Sequence, residues 1–311
     1  MTIKQISPPP THEGPKTLRR TPSLDGPAAA DMVVGNCPVI SEQFGAFTVE
    51  GWSRAAVQTY WRIPELKINF DVGAQPWEFM GTPTMFITHT HLDHIAGLAQ
   101  YVSRRRMMKM EPPIVYLPEY AIDDAWRMLK AFVPLDRGRM PCELEPLQDG
   151  DEIEMGREWL VTALRTRHTI TSVGFLVEQR RQKLKPEFHE LSGPQIRDLR
   201  LSGVEVSAET RVPVLAYTGD TSPPGLDDNP EFYEAKILIT EMTFVAPDHR
   251  SDKIHKHGHM HISDFRKRAD QFQNDVVIAS HFSTRYSDPQ VRRWVERQLP
   301  GGLDGRLNLW L

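Results

Sequence analysis

The segment THTHLDHIAGL, residues 88–98, places three histidines and one aspartate within six positions, directly after an apolar run. In an extended chain His89 and His91 face the same side, because side chains alternate along a strand. Asp93 and His94 would then lie on the turn that enters IAGL and face a second position. One loop can therefore serve two neighbouring metal ions, although a surface histidine cluster without a task is the alternative. Imidazole and carboxylate together suit zinc and, less tightly, manganese or iron.

Four side chains cannot hold two ions, so further ligands must come from elsewhere in the chain. Candidates follow three other apolar runs: His168 after ALRTR, Asp220 in AYTGD and His281 after VVIAS. Loops at the edge of a sheet would bring such residues to the same place. Taken singly, each is more typical of a turn or a helix cap. Together with HTHLDH, the set predicts a metal centre.

The composition excludes several classes of protein. The chain has 311 residues, of which 40% are hydrophobic and 25% charged, and a net charge of -4. These values are typical of a globular protein without an overall basic field for nucleic acid. Cys37 and Cys142 form no disulfide framework and match no zinc-ligand spacing, which predicts a reducing compartment. No apolar run reaches the roughly 18 residues of a membrane span. The N-terminus lacks the apolar core of a signal peptide, so we expect a cytoplasmic protein that binds no membrane.

Sequence patterns divide the chain into a tail and one domain. Residues 1–43 are rich in Pro, Thr, Ser and Gly without periodicity, which predicts a disordered tail. From residue 44 to 311, strand patterns alternate with helical ones, which favours an α/β fold. Several of the predicted strands end on a ligand-type residue. A basic, irregular stretch at about 180–206 is predicted to be an insertion with one short helix.

The motif THTHLDHIAGL, taken with His168, YTGDT and HFSTRY, resembles the metallo-β-lactamase superfamily. More narrowly, the chain looks like ribonuclease Z, the tRNA 3′-end endonuclease, in the short form found in plants. FDVG, MKMEPPIVYLP, LSGPQIRDLRLSGVEV, EMTF and HGHMHIS also look like segments of that family. The resemblance runs from about Phe44 to the C-terminus. It implies an αββα sandwich, two zinc ions in a cleft, precursor tRNA or another RNA as substrate, and a homodimer.

The same resemblance implies which residue holds which ion. One zinc ion would be held by His89, His91 and His168, the other by Asp93, His94 and His281, with Asp220 bridging the two. Manganese or iron could replace zinc in such a site. Two neighbouring ions supply a nucleophilic hydroxide at neutral pH and neutralise charge on a phosphate. Asp93 could also accept a hydrogen bond from the attacking water.

Phosphodiester cleavage expels an alkoxide, so an acid on the far side of the phosphorus is useful. KIHKHGHMHIS supplies four histidines, and the family pattern without gaps selects His259, which lies 22 residues before His281. The resemblance pairs it with Glu241 of EMTF, and a carboxylate raises the pKa of an imidazole. His261 is the runner-up, since it would require a two-residue gap. His255 and His257 are expected to be part of a polar loop.

Further residues are assigned smaller roles. Asp71 either orients a metal-binding histidine or is a plain turn residue. Ser283, Thr284 and Arg285 could bind a phosphate next to the scissile one. The basic run at 103–110 could follow an RNA backbone. The insertion lies where bacterial ribonuclease Z has its tRNA-gripping arm, but it lacks the Gly-Pro-rich signature of that arm's tip.

Three functions compete at this point. The first is an endonuclease that removes the 3′ trailer of precursor tRNA. The second is a dinuclear-zinc hydrolase of small esters, thioesters or cyclic nucleotides, because the fold and metals do not fix the substrate. The third is a binding protein without activity, which seven intact ligand positions disfavour. His259 with Glu241 and the basic insertion favour the first, because small-substrate hydrolases need neither.

Overall fold

The computed structural model describes residues 37–311, so residues 1–36 of the predicted tail lie outside the described residues. Fourteen strands are present in the described part: β1 Ile40–Phe44, β2 Phe47–Arg54, β3 Gln58–Ile63, β4 Ile68–Phe70, β5 Thr84–Phe86, β6 Ile114–Pro118, β7 Glu143–Leu147, β8 Glu152–Met155, β9 Trp159–Arg165, β10 Val173–Leu184, β11 Ser207–Tyr217, β12 Ile237–Glu241, β13 Val276–Ser280 and β14 Leu307–Leu309. The helices of the same part are α1 Leu92–Ile95, α2 Leu98–Met107, α3 Ile122–Asp136, α4 Gly193–Leu201, α5 Pro223–Asp227, α6 Glu231–Glu234, α7 Ser251–Lys256, α8 Ile262–Lys267 and α9 Asp288–Gln298. None of these helices is long and apolar enough to cross a membrane.

The strands form two seven-stranded sheets. One sheet has the order β1-β2-β3-β4-β5-β6-β7, and the other has the order β14-β13-β12-β11-β10-β9-β8. In each sheet four consecutive neighbours are parallel, β4 to β7 and β11 to β14, while the remaining pairs are antiparallel. The parallel strands β4, β5 and β12 are buried along their whole length, as strands covered on both faces must be.

The two sheets pack face to face over an aromatic core. Phe70 and Phe86 of the first sheet meet Phe175 and Tyr217 of the second, and the rings of Phe70 and Phe175 stack with centroids 5.7 Å apart. All four side chains are at most 3% exposed. Trp310, after β14, donates its indole N–H to the carbonyl of Gly51 at 3.0 Å and joins the two sheets at one edge.

Helices cover the outer face of each sheet. Helices α2 and α3 pack their apolar residues on the first sheet, whereas α5, α6, α8 and α9 pack on the second. Helix α9 begins where Ser287 and Gln290 form a capping box and Pro289 occupies the first turn, which satisfies its free N–H groups. The predicted αββα sandwich is therefore confirmed.

The predicted boundaries of the domain and the insertion can be compared with the described strands. Strand β1 begins at Ile40 and pairs with β2, so residues 40–43, which the sequence assigned to the tail, lie in a strand. The predicted insertion at 180–206 contains the end of strand β10 and helix α4, and it ends directly before strand β11, which pairs with β10. Together with β11 it forms a long hairpin that carries one short helix.

Three arginines of the basic run at 103–110 serve the fold. Arg105 is 4% exposed, and its guanidinium donates to the carbonyl groups of Met80 and Glu111, the latter at 2.9 Å. Arg104 donates to the Gln75 carbonyl, and Arg106 pairs with Asp136 at 2.8 Å. The hypothesis that this run follows an RNA backbone therefore gains no support from these three side chains.

The buried guanidinium leads to a stability prediction. Arg105→Met keeps the aliphatic length but leaves buried carbonyl groups without a donor, which should lower the free energy of unfolding by about 2–4 kcal/mol. Arg106→Met, which breaks a partly exposed ion pair, should lower it by less than about 1 kcal/mol. Urea denaturation of the two variants measures the difference. Equal stability of both would show that the Arg105 bonds contribute nothing.

Candidate metal centre

The carboxyl ends of the parallel strands meet at one edge of the sandwich, and the predicted ligands lie there. After β5, the loop carries His89 and His91, and the short helix α1 carries Asp93 and His94. The loop after β9 carries His168, and β9 runs in the same direction as β11 because both are antiparallel to β10. Asp220 follows β11, and His281 follows β13 directly. The parallel arrangement places the ends of strands that are far apart in sequence next to one another. The structure thus brings together all seven residues that the sequence singled out.

Three imidazoles form the first group of potential ligands. The Nδ1 atom of His91 lies 3.2 Å from Nε2 of His89 and 3.0 Å from Nε2 of His168. Burial lowers the pKa of all three imidazoles, and the charge on neighbouring histidines contributes in the same direction. Neutral imidazole is the form that binds a metal, so these nitrogens have lone pairs available at neutral pH.

Asp220 connects this group to a second one. Its Oδ2 lies 3.8 Å from His89 Nε2 and 3.5 Å from His94 Nε2, and its Oδ1 lies 3.4 Å from His281 Nε2. The Oδ2 atom of Asp93 also lies 3.4 Å from His281 Nε2. Burial raises the pKa of Asp220, but the charges of His281 and His94 outweigh it and hold that pKa well below its ordinary value.

In three of these histidines the Nδ1 atom bonds a protein group outside the cluster, and the Nε2 atom lies within 4 Å of Asp220. Nδ1 of His94 bonds Asp71 at 2.8 Å, Nδ1 of His168 donates to the Gly258 carbonyl at 2.9 Å, and Nδ1 of His281 donates to the Thr243 hydroxyl at 3.1 Å. Nε2 of His94 is fully buried and has no hydrogen-bond partner. An orphaned nitrogen aimed at carboxylates and imidazoles fits a bound divalent ion.

Asp71 is one of these outer partners. Its carboxylate accepts from the Thr88 backbone N–H at 2.8 Å, from the Tyr217 hydroxyl at 2.5 Å and from His94. The residue is 1% exposed and has a positive φ of 55°, a conformation that its surroundings must impose. Of the two interpretations that the sequence left open, the contacts favour the one in which Asp71 orients a histidine, here His94.

His259 lies beside the cluster and contacts Glu241. Its Nδ1 is 3.0 Å from Glu241 Oε1, and its ring centroid lies 5.0 Å from that of His168. Glu241 is 2% exposed and also accepts from the backbone N–H groups of Thr221 and Met260. Burial lowers the pKa of His259, but the Glu241 carboxylate outweighs it and raises that pKa to about 9.

Comparison with known proteins identifies the family. A family model described as the beta-lactamase superfamily domain matches residues 74–282. The tRNase Z TRZ1 of Arabidopsis thaliana is 33% identical over 267 residues, covering 85% of this chain and 95% of the relative. The chain belongs to the tRNase Z family of the metallo-β-lactamase superfamily.

Two further relatives of this tRNase Z family member are informative. The chloroplastic tRNase Z TRZ2 of Arabidopsis thaliana is 34% identical over 252 residues, covering 80% of this chain and 71% of the relative. The crystal structure of the metallo-β-lactamase fold protein YhfI from Bacillus subtilis superposes with a TM-score of 0.53 at 15% identity, covering 85% of this chain and 87% of that one. The similarity to YhfI shows the fold alone. Membership of the superfamily makes the protein a hydrolase that depends on divalent metal ions.

The other histidines of KIHKHGHMHIS do not contact Glu241 in the described part of this family member. His261 caps helix α8, where its Nδ1 accepts from the Ser263 backbone N–H and its Nε2 donates to the Ala246 carbonyl at 2.9 Å. His255 bonds Asp264 at 2.9 Å, and His257 is exposed. The geometry therefore favours His259 over the runner-up His261 as the histidine that pairs with Glu241.

The HFSTRY segment forms a loop beyond His281. Ser283 is buried, and its backbone N–H donates to the Thr243 carbonyl at 2.9 Å. Thr284 and Arg285 are exposed, and within residues 37–311 the Arg285 guanidinium forms no ion pair. Among the described residues Arg285 is thus an exposed cation without a carboxylate partner, four residues after His281, and such a guanidinium can bind a phosphate.

Sequence reasoning missed three contributions to this centre. The Thr243 hydroxyl donates to Glu241 Oε2 and accepts from His281, so it links the two groups. Its position two residues after Glu241 was a usable signal, because both side chains then share one face of an extended chain. Tyr217 and the Gly258 carbonyl gave no such signal, since each meets its partner across a long separation in sequence. A Cβ at Gly258 would lie 2.6 Å from His168 Nδ1, so this close approach requires glycine.

Proposed function

We propose that the protein is a zinc-dependent endoribonuclease that removes the 3′ trailer of precursor tRNA. The observation that carries the proposal is the His259–Glu241 pair beside the cluster of seven ligand-type residues. A proton donor aimed beside a dinuclear centre suits a reaction with a poor alkoxide leaving group. The relatives named tRNase Z support the choice of precursor tRNA as substrate.

Two groups of side chains would hold the ions. His89, His91 and His168 suit one ion, Asp93, His94 and His281 suit the other, and Asp220 lies between both groups. Bound zinc, or manganese or iron in its place, supplies a nucleophilic water at neutral pH and neutralises charge on the phosphate. Asp93 Oδ2 is fixed by the Ala56 N–H at 2.8 Å and can accept a hydrogen bond from the attacking water.

His259 would donate the proton to the leaving 3′ oxygen. Its Nδ1 faces Glu241, which leaves Nε2 as the atom that can reach the substrate. The Glu241 carboxylate stabilises the protonated form of His259, whereas divalent cations nearby would destabilise it. The two effects together would bring the pKa of His259 towards the working pH. Ser283, Thr284 and Arg285 would bind the phosphate next to the cleaved one.

The hairpin insertion would grip the body of the tRNA. Near the sandwich its cations are paired, as in Arg180 with Glu209 at 2.9 Å and Arg211 with Glu152. Towards the tip Arg197 and Arg200 are exposed, and Arg197 lies 3.3 Å from Asp198 in an exposed pair. These side chains can reach phosphates of a structured RNA far from the cleavage site.

Shortening the hairpin tests that role. Leu184 and Ser207 are paired across the hairpin, so an Asn-Gly turn can replace residues 185–206 without distorting the strands. We expect the KM for precursor tRNA to rise by roughly 10-fold or more, since cation–phosphate contacts are lost. Hydrolysis of bis(p-nitrophenyl) phosphate should change far less. An equal loss on both substrates would show that the hairpin supports the fold rather than the RNA.

A panel of substrates separates the proposed function from its alternative. The purified zinc-loaded protein should cleave precursor tRNA with a kcat/KM far above that for a 2′,3′-cyclic nucleotide, p-nitrophenyl acetate or a thioester. A preference for one of the small substrates would replace the proposal by a dinuclear-zinc hydrolase of small esters. Absence of hydrolysis of every substrate would favour a binding protein.

Two expectations on the cellular state complete the proposal. We expect a homodimer, which light scattering of the purified chain measures directly. We also expect the cytoplasm as compartment, in keeping with Cys37 and Cys142, which are free thiols in the described part of the chain. Fluorescence of a fusion of the full chain distinguishes the cytoplasm from an organelle such as the one named for the second Arabidopsis relative.

A further inference from the structure

A cavity of about 300 Å³ lies beside the loop that carries His89 and His91. Its walls come from the turn after β6, the turn before β8 and the loop after β9. The side chains that matter for its chemistry are Glu119, Tyr120, Gln148, Asp149, Arg165 and Thr171. This volume is at the lower end of the roughly 300–1,000 Å³ range of small-molecule pockets.

Tyr120 connects this cavity to the metal centre. Its hydroxyl lies 3.0 Å from the Thr90 hydroxyl, and Thr90 stands between His89 and His91. The residue nevertheless remains 47% exposed, although large aromatic side chains are usually buried. The hydrogen bond fixes the ring at the rim of the centre while much of its surface stays open to a ligand.

The lining is unsuited to a phosphate and suited to a planar polar group. Glu119 accepts from the Gln148 amide at 2.6 Å, and Asp149 accepts from the Arg165 backbone N–H at 2.8 Å. These two carboxylates would repel a phosphate. The Arg165 guanidinium is exposed and forms no ion pair within residues 37–311. This guanidinium and the ring of Tyr120 can instead stack on a base. Carboxylate and amide oxygens accept from exocyclic amino groups.

We infer that this cavity receives the nucleobase of a nucleotide flanking the cleaved bond, stacked on Tyr120 and contacted by Arg165. The inference rests on the proposed function, because it requires an RNA strand in the cleft. It assigns to Tyr120 a binding role without participation in bond cleavage. Stacking on an aromatic side chain tolerates any base, so the cavity holds the strand in place more than it selects a sequence.

The test combines protein variants with RNA lacking single bases. Tyr120→Ala should lower kcat/KM on precursor tRNA roughly 5- to 100-fold, the usual range for a lost base stack, and by much less on bis(p-nitrophenyl) phosphate. Tyr120→Phe keeps the ring and should recover most of the loss. Phe132→Ala, which removes another exposed aromatic residue on α3, should leave both activities unchanged.

Abasic substrates identify the base. With the natural protein, removing the base at one of the two positions flanking the cut should reduce cleavage, whereas Tyr120→Ala should cleave that abasic RNA and the intact RNA equally well. If Tyr120→Ala and the removal of the base reduced cleavage in a fully additive way, the inference would be overturned. An equal loss of activity of Tyr120→Ala on RNA and on bis(p-nitrophenyl) phosphate would also overturn it. A natural protein that cleaves no RNA would overturn the proposed function itself, a separate outcome visible without any variant.

Discussion

Asp220→Ala should leave the purified protein with fewer than two metal ions per chain and almost no hydrolytic activity. The Asp220 carboxylate is 3% exposed and lies within 3.5 Å of ring nitrogens from His94 and His281. Removing it deletes a candidate ligand that lies within 4 Å of imidazoles from both groups. Because the proposed ions would supply both the nucleophile and charge neutralisation, kcat/KM should fall by more than roughly 10³-fold.

Elemental analysis and steady-state kinetics on the same preparation check this expectation. Asp228→Ala is the matched control, since Asp228 is an exposed aspartate that pairs with Arg167 outside the centre. The control should keep both ions and its activity. Retention of two ions by Asp220→Ala would contradict the ligand assignment, and full activity with fewer ions would contradict the dinuclear mechanism.

His259→Ala has the second-largest expected effect. The variant should keep both ions but cleave precursor tRNA roughly 10²–10⁴-fold more slowly, the usual contribution of a positioned general acid. The loss should shrink on bis(p-nitrophenyl) phosphate, because p-nitrophenolate departs without needing a proton. Single-turnover rates on the two substrates give the comparison.

Variants of Glu241 and His261 test whether the loss arises from proton donation by His259. Glu241→Gln should show the same substrate dependence more weakly, since Glu241 holds and tunes the imidazole. His261→Ala should lower stability by about 1 kcal/mol, as for a lost helix cap, with little effect on the chemical step. If His261→Ala were instead the impaired variant and His259→Ala near normal, the roles of the two histidines would have to be exchanged.

The sequence predicted the parts of the centre that depend on local patterns. Strand-end residues such as His168 and His281 follow recognisable apolar runs, and parallel strands bring their carboxyl ends to one edge. Partners that approach from another layer have no local signature. The Tyr217 hydroxyl reaches Asp71 only because the two sheets pack face to face.

Charge patterns were the least reliable guide. The basic run around Arg105 has the pattern of a solvated surface. The Arg105 guanidinium is nevertheless buried and donates to carbonyl groups of neighbouring loops. Conversely, nothing in the sequence distinguishes Tyr120 from a core aromatic residue. Its exposure beside the centre becomes visible only when the turn after β6 and the loop after β5 are placed together.

Mapping the ends of the RNA products tests the central claim most directly. Precursor tRNA with a 3′ trailer, incubated with the zinc-loaded protein, should be cut once at the junction, leaving a 3′-hydroxyl on the tRNA and a 5′-phosphate on the trailer. Asp220→Ala, prepared identically, should give no product. Cuts scattered along the RNA, ends of the opposite phosphate polarity, or the same product from Asp220→Ala would contradict the account.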